Sequence, residues 1–163
     1  MATVALYEED GMVLVNYGAD PAIGIPDGTT YHLVDQSTLP SRDTRNFWLL
    51  DENGVVTVDN DARLDHLREI AEMPKPDFCK AVRDAGILSP EDAAIAANGG
   101  WPAAFDGFLS GMTEAEQSDA RIDWSGAVMI SYSDELLQDI ALNVSSGNAA
   151  AATALLDTIY NIT

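Results

Sequence analysis

The chain has 163 residues, and 27 acidic side chains against eight basic ones give a formal net charge of −19. That sign excludes a grip on nucleic-acid phosphates and docking on anionic lipid, both of which need a basic face. Hydrophobic residues make up 47%, enough for a packed core, yet no apolar run approaches the ~20 residues of a membrane span. The start, Met1 to Asp10, lacks the basic opening and apolar stretch of a secretory signal, so the sequence reads as an intracellular product.

From Thr3 to Asp59 the pattern is that of strands. Val4, Leu6 and Tyr7 lead to a turn at Glu9-Asp10-Gly11, and Met12–Tyr17 follows as a short apolar run. Asp-Gly between two such runs signals a hairpin. Pro21, Gly24 and Pro26 mark a loop, then Tyr31–Asp35 predicts a third strand. Phe47–Leu50, the turn Asp51-Glu52-Asn53-Gly54 and Val55–Val58 predict a second hairpin, with Asn-Gly supplying positive φ angles.

At Asp59 the period changes. Asp59 or Asn60 can cap a helix through Ile70, with Leu64, Leu67 and Ile70 near one face. Met73-Pro74-Lys75-Pro76 stops it and reads as a linker. Beyond lie short helices. Asp77–Ala85 turns Phe78, Val82 and Ala85 inward; Ser89-Pro90-Glu91-Asp92 opens a second helix; Pro102 opens a third with Phe105, Phe108 and Leu109 inward. Thr113-Glu114-Ala115-Glu116 caps a fourth that runs past Trp124 towards Ile130, Asp134 opens a fifth, and Asn148 precedes a sixth with Leu155, Leu156, Ile159 and Tyr160. The expected fold is α+β: a β-rich module over 1–59, a connecting helix and Pro-containing linker over 60–75, and an α-helical module over 76–163.

The stretch Leu39-Pro40-Ser41-Arg42-Asp43-Thr44-Arg45-Asn46-Phe47-Trp48, followed by Val58-Asp59, Ala62-Arg63 and His66, resembles a segment of small accessory proteins of tailed bacteriophages, encoded near tail and tail-fibre genes. Asp77 to Ala93 and Ala120-Arg121-Ile122-Asp123-Trp124 are similar to helical modules in phage and prophage proteins of aquatic alphaproteobacteria. The resemblance implies a non-enzymatic structural component of a virion, made in the host cytoplasm and placed in the tail or tail-fibre region. Its partners would be larger virion proteins, with a homo-oligomer as a further option. A capsid decoration protein and a tail-fibre assembly chaperone are the alternatives. Within that segment Arg42, Arg45, Asn46, Trp48, Asp59, Arg63 and His66 carry the structural motif.

Several residue types invite chemistry and are better read as structure. Arg42, Arg45, Arg63 and Arg68 are half of the eight basic residues, and neighbouring Asp35, Asp43, Asp59, Asp61 and Asp65 predict internal pairing, since arginine grips carboxylates bidentately. Cys79 is the single cysteine; it reads as a small buried hydrophobe. His66 reads as partly buried. Asp51-Glu52-Asn53-Gly54 and Asp59-Asn60-Asp61 suggest calcium ligands but lack the EF-hand order, and turn and cap roles explain them. Glu8-Glu9-Asp10, Glu114 with Glu116, and Asp134-Glu135 read as solvated acids without a convergent base or phosphate loop. No cofactor and no metal is expected.

Trp48 and Trp124 read as core. Trp101, between Gly99-Gly100 and Pro102, reads as an intersubunit contact, and Leu155, Leu156, Ile159 and Tyr160 as the other docking surface. The strands Met12–Tyr17 and Tyr31–Asp35 could each offer an edge to a partner. The acidic coat keeps such a protein soluble at high copy number, and saline surroundings screen its self-repulsion.

Overall fold

The computed structural model describes residues 2–163. It is mixed α/β, with N-terminal antiparallel strands followed by several short helices, and it divides into two compact units, Met1–Asp65 and His66–Thr163. The division falls inside the helix α1 (Asn60–Ile70) rather than at the proline-rich segment after it.

In the first unit, β1 (Thr3–Glu9) is flanked by β2 (Met12–Asn16) and β3 (Tyr31–Asp35), both antiparallel, in the order β2-β1-β3. Asp10 and Gly11 both take positive φ, 51° and 76°, which closes Glu9 on Met12 through a two-residue turn. The register sets Leu6 opposite Val15 and His32, and Val4 opposite Val34. Alternation therefore puts Val4, Leu6, Val13, Val15 and Val34 on one face. The hairpin β4 (Trp48–Leu50) and β5 (Val56–Val58) supplies the rest of that core, where Trp48, Val4, Leu6 and Val13 are buried among Leu39, Leu50, Val56 and Val58.

The second hairpin turns differently from the Asn-Gly expectation. Only Gly54 has positive φ, 81°, and the loop is organised by Asp51, whose Oδ1 accepts from the amides of Asn53 and Val55, both at 2.8 Å. These hydrogen bonds, that of Val55 foremost, hold the Asp51 carboxyl below its usual range. A Cβ at Gly54 would lie 2.7 Å from Cβ and Cγ of His32. Gly54→Ala is therefore expected to cost about 1–2 kcal/mol, from the left-handed backbone and the collision together. A urea titration should show a lower midpoint with unchanged slope.

The segment Arg42–Phe47 is a run of 3-10 helix, not an extension of the strand. Ser41 caps it, and the Trp48 indole N–H donates to Thr44 Oγ1 at 3.1 Å, so the turn and the buried ring fix one another. Asp59 then caps α1, its Oδ1 accepting from the Ala62 amide at 3.0 Å.

In the second unit the linker expectation fails. Glu72–Pro74 forms a strand, β6, paired antiparallel with β7 (Met129–Ser131). Pro74 sits where the ladder needs no donor from it, and the next amide, Lys75, donates to the Val128 carbonyl at 2.9 Å. The helices are α2 (Lys75–Asp84), α3 (Pro90–Ala97), α4 (Asp106–Leu109) after a 3-10 turn, α5 (Glu114–Gly126), α6 (Glu135–Val144) and α7 (Ala149–Tyr160). Their starts follow the sequence signals: Ser89, Asp134 and Asn148 cap α3, α6 and α7, and Thr113 with Glu116 forms a full capping box on α5. Helix α5 ends at Gly126, short of the expected run to Ile130.

The core of this unit is aromatic at its centre. Trp124 meets Phe105 edge-on at 5.6 Å between ring centroids, with Phe78 and Trp101 at 6.3 Å. Leu88, Leu137, Ile140, Leu156 and Ile159 surround them, and Cys79 is buried in the same cluster. Ala85, expected inward, is exposed as the last residue before the Gly86 turn.

Candidate functional site

The expected docking face on the last helix is turned inward. Leu156 and Ile159 are buried, at 1% and 8% exposure, and Leu155 and Tyr160 pack against the same core. The Tyr160 hydroxyl donates to the Ile130 carbonyl at 3.0 Å, which ties α7 to β7. These four residues help hold the unit together, Leu156 and Ile159 buried and Leu155 and Tyr160 half-buried. Trp101 is likewise half-buried, edge-on to Phe105 at 5.9 Å and beside Phe108, with the Arg121 guanidinium 6.0 Å above its ring. It closes the aromatic cluster rather than projecting from it.

Two of the arginines, Arg68 and Arg42, have partners beyond the neighbouring aspartates. Arg68 reaches Asp157 on α7 bidentately, Nε to Oδ1 at 3.0 Å and Nη2 to Oδ2 at 2.8 Å. Tyr132 completes the cluster, donating from its hydroxyl to Asp157 Oδ1 at 3.0 Å. Arg68 holds the Asp157 carboxyl below its usual range, while desolvation, with the Asp157 contact added, pushes the Tyr132 hydroxyl up to about 12. Such a network fastens α1 to α7. Arg42 stacks on Tyr17, its guanidinium carbon 5.1 Å from the ring centroid. Arg45 lies half-buried and Asn46 exposed in the 3-10 turn, Arg63 is half-buried on α1, and His66 is exposed, against the expectation of partial burial.

In the first unit β2 and β3 are the two edges of the sheet. Its second face carries Met12, Tyr31 and Leu33, which stay exposed at 59%, 42% and 57%.

A concavity lies in the second unit, between α5 and α6. It is an open groove of about 930 Å³ with a floor of Ala120, Trp124, Ile130, Leu137 and Ile140 and with Phe108 at its margin. Its walls are acidic. Glu116, Asp119 and Asp123 stand at i, i+3 and i+7 on α5, which puts them along one side of that helix. Asp134, Glu135 and Asp139 line the opposite wall, from the cap and first turns of α6. Among the described residues no lysine, arginine or histidine lines it. Glu116 and Asp134 are engaged in capping, and hydrogen bonds from Thr113 hold the Glu116 carboxyl below its usual range.

Taken alone, the sequence places Glu116 and Asp134-Glu135 in solvent and does not single out Asp119, Asp123 and Asp139. The helical spacing 116, 119, 123 was available as a signal; that α6 lies opposite was not. Among the described residues no group of three or more His, Cys, Asp or Glu could hold a metal ion, and no helix is long and apolar enough to cross a membrane. Compared with protein families, with curated proteins and with solved structures, the chain shows no match to any of them.

Proposed function

We propose that the chain is a non-catalytic docking protein, a structural component of a tailed-phage particle that attaches to a larger virion protein in the tail or tail-fibre region. The observation that carries the docking is the groove between α5 and α6: an open groove with apolar side chains at its floor and margin in a strongly charged molecule, lined by carboxylates from both helices. Exposed apolar surface rimmed by polar residues marks docking sites. The phage setting rests on the resemblance carried by the segment from Leu39 to His66, in which Ser41 and Asp59 cap helical turns and the Trp48 indole is held by Thr44.

Quantitative mass spectrometry of purified particles, followed by cross-linking of the chain to its neighbour, tests this. A few to dozens of copies per particle, linked to a tail or fibre protein, is the expected result. Hundreds of copies would make it a capsid decoration protein, and binding to fibres during assembly with absence from finished particles would make it a chaperone. A chain found on neither particle nor fibre overturns the reading.

A further inference from the structure

The groove has the sign and shape for one class of occupant. We infer that it receives a basic amphipathic helix of a partner protein, laid between α5 and α6 with its apolar stripe on the floor and its lysines or arginines against the two acidic walls. This deepens the docking proposal and rests on it.

The floor is set by Trp124, Ile130, Leu137 and Ile140, which are almost fully buried, while Ile122 at the margin is 61% exposed and Phe108 and Leu136 are half-exposed. Those marginal side chains are the ones a partner would cover. Above them Asp119 and Asp123 stand on one wall and Glu135 and Asp139 on the other. Among the described residues none of these four carboxylates is paired with a lysine or arginine, in a chain that makes such pairs elsewhere, Arg68 with Asp157 and Lys80 with Asp77.

The choice of occupant follows by charge. A second copy of this chain would bring another −19 and more carboxylates to the same place. A single metal ion lacks a tight enough cluster. A purely cationic strand would satisfy the walls and leave the apolar margin wet; a purely apolar helix would bury four carboxylates against nothing. Only a segment carrying both features meets both surfaces. The row from Glu116 to Asp123 covers about 10 Å of helix axis, two turns, so anchors at i, i+3 or i+4 and i+7 with flanking cations match it. The net charge would also speed the encounter with a basic segment, more so at low salt.

The test is fluorescence anisotropy on the purified full chain with three labelled synthetic peptides of two to four turns. One alternates leucine and lysine at helical spacing, one has its lysines replaced by glutamate, and one keeps the lysines but has serine for leucine. The leucine–lysine peptide should bind at least tenfold more tightly than either other, and its affinity should fall with added salt. Asp123→Lys and Asp139→Lys, both on exposed positions, should each weaken it about tenfold or more, while Asp84→Lys and Glu91→Lys, equal charge changes outside the groove, should weaken it less than threefold. Ile122→Ser should weaken it without altering the salt dependence.

Equal loss from all four charge reversals would reduce the effect to net charge and overturn the inference, as would equal binding of the serine–lysine peptide or no binding at all. Circular dichroism of each variant separates lost binding from lost fold. A chain that co-purifies with particles yet ignores the peptide leaves docking standing and removes the groove. One that binds the peptide yet is absent from particles and fibres removes the phage setting.

Discussion

Trp124→Ala is expected to destabilise the unit His66–Thr163 by about 3–5 kcal/mol, the largest effect of any single substitution considered for this chain. The ring is 3% exposed and lies at the junction of three other aromatic side chains, Phe78, Phe105 and Trp101. Removing it leaves a void that rigid neighbours cannot fill, so the lost transfer free energy and the cavity add. Two further losses follow. The indole N–H donates to the Gly100 carbonyl at 2.9 Å, which would then lose its partner, and the ring face that supports the Lys75 ammonium, 4.6 Å from its centroid, disappears. Trp124→Phe separates the contributions. It keeps most of the volume and gives up the hydrogen bond, and should cost about 1–2 kcal/mol. Urea unfolding followed by far-UV circular dichroism measures both. If the alanine variant loses less than 1 kcal/mol, the aromatic cluster is not the centre of that core.

Much of this was legible in the residues, for physical reasons that differ by element. Helix starts were readable because a cap is local: Ser89, Thr113, Asp134 and Asn148 accept from the amide three positions on, wherever the rest of the chain goes. The first hairpin was readable because Asp10-Gly11 alone fixes the turn. What escaped was long-range. The pairing of β6 with β7 joins residues more than fifty positions apart, and nothing near Pro74 announces a partner. Without that pairing, Met73-Pro74-Lys75-Pro76 has the composition of a linker. The apolar face of α7 looked available because periodicity gives the face and not what covers it; Leu156 and Ile159 are covered by α2, α6 and their neighbours. The groove failed in the opposite direction. Its carboxylates are ordinary surface acids on each helix, and become a pair of walls only when α5 and α6 stand opposite one another. The Arg68–Asp157 pair, 89 positions apart, is invisible for the same reason.

Lys75 yields the second large effect, and it is read from pH. It is 3% exposed, the one buried charged residue among the described residues, with its ammonium donating to the Trp124 carbonyl and resting on the Trp124 ring. The carbonyl belongs to the last turn of α5, so the lysine caps a helix end and opposes its dipole. Desolvation nevertheless lowers its pKa below the ordinary 10.5, with nearby Cys79 working weakly the other way. The neutral amine therefore fits the site better than the ammonium, while still able to donate to the carbonyl. Between the lowered folded value and 10.5 the unfolded chain binds more protons than the folded one, so stability rises with pH across that window. Three groups oppose it at the alkaline end. The Cys79 thiol is raised from 9.0 by burial, Tyr132 is pushed up to about 12, and Tyr160 is raised by burial; each holds its proton longer when folded, so each makes stability fall above its unfolded value. The comparison that isolates the lysine is Lys75→Met against the parent, both in a Cys79→Ala background, since the tyrosines then cancel. Near neutral pH the methionine variant should lie within about 1 kcal/mol of its parent, because relief of a buried charge offsets the lost cap. As pH rises towards 10.5 the parent should gain on it, because desolvation lowers the folded pKa of the ammonium and the unfolded chain then holds the extra proton. Parallel stability curves for the two proteins, from chemical denaturation at each pH, would mean that Lys75 titrates in the fold as it does in water. The amine would then be solvated, and the closed packing around the end of α5 would be wrong.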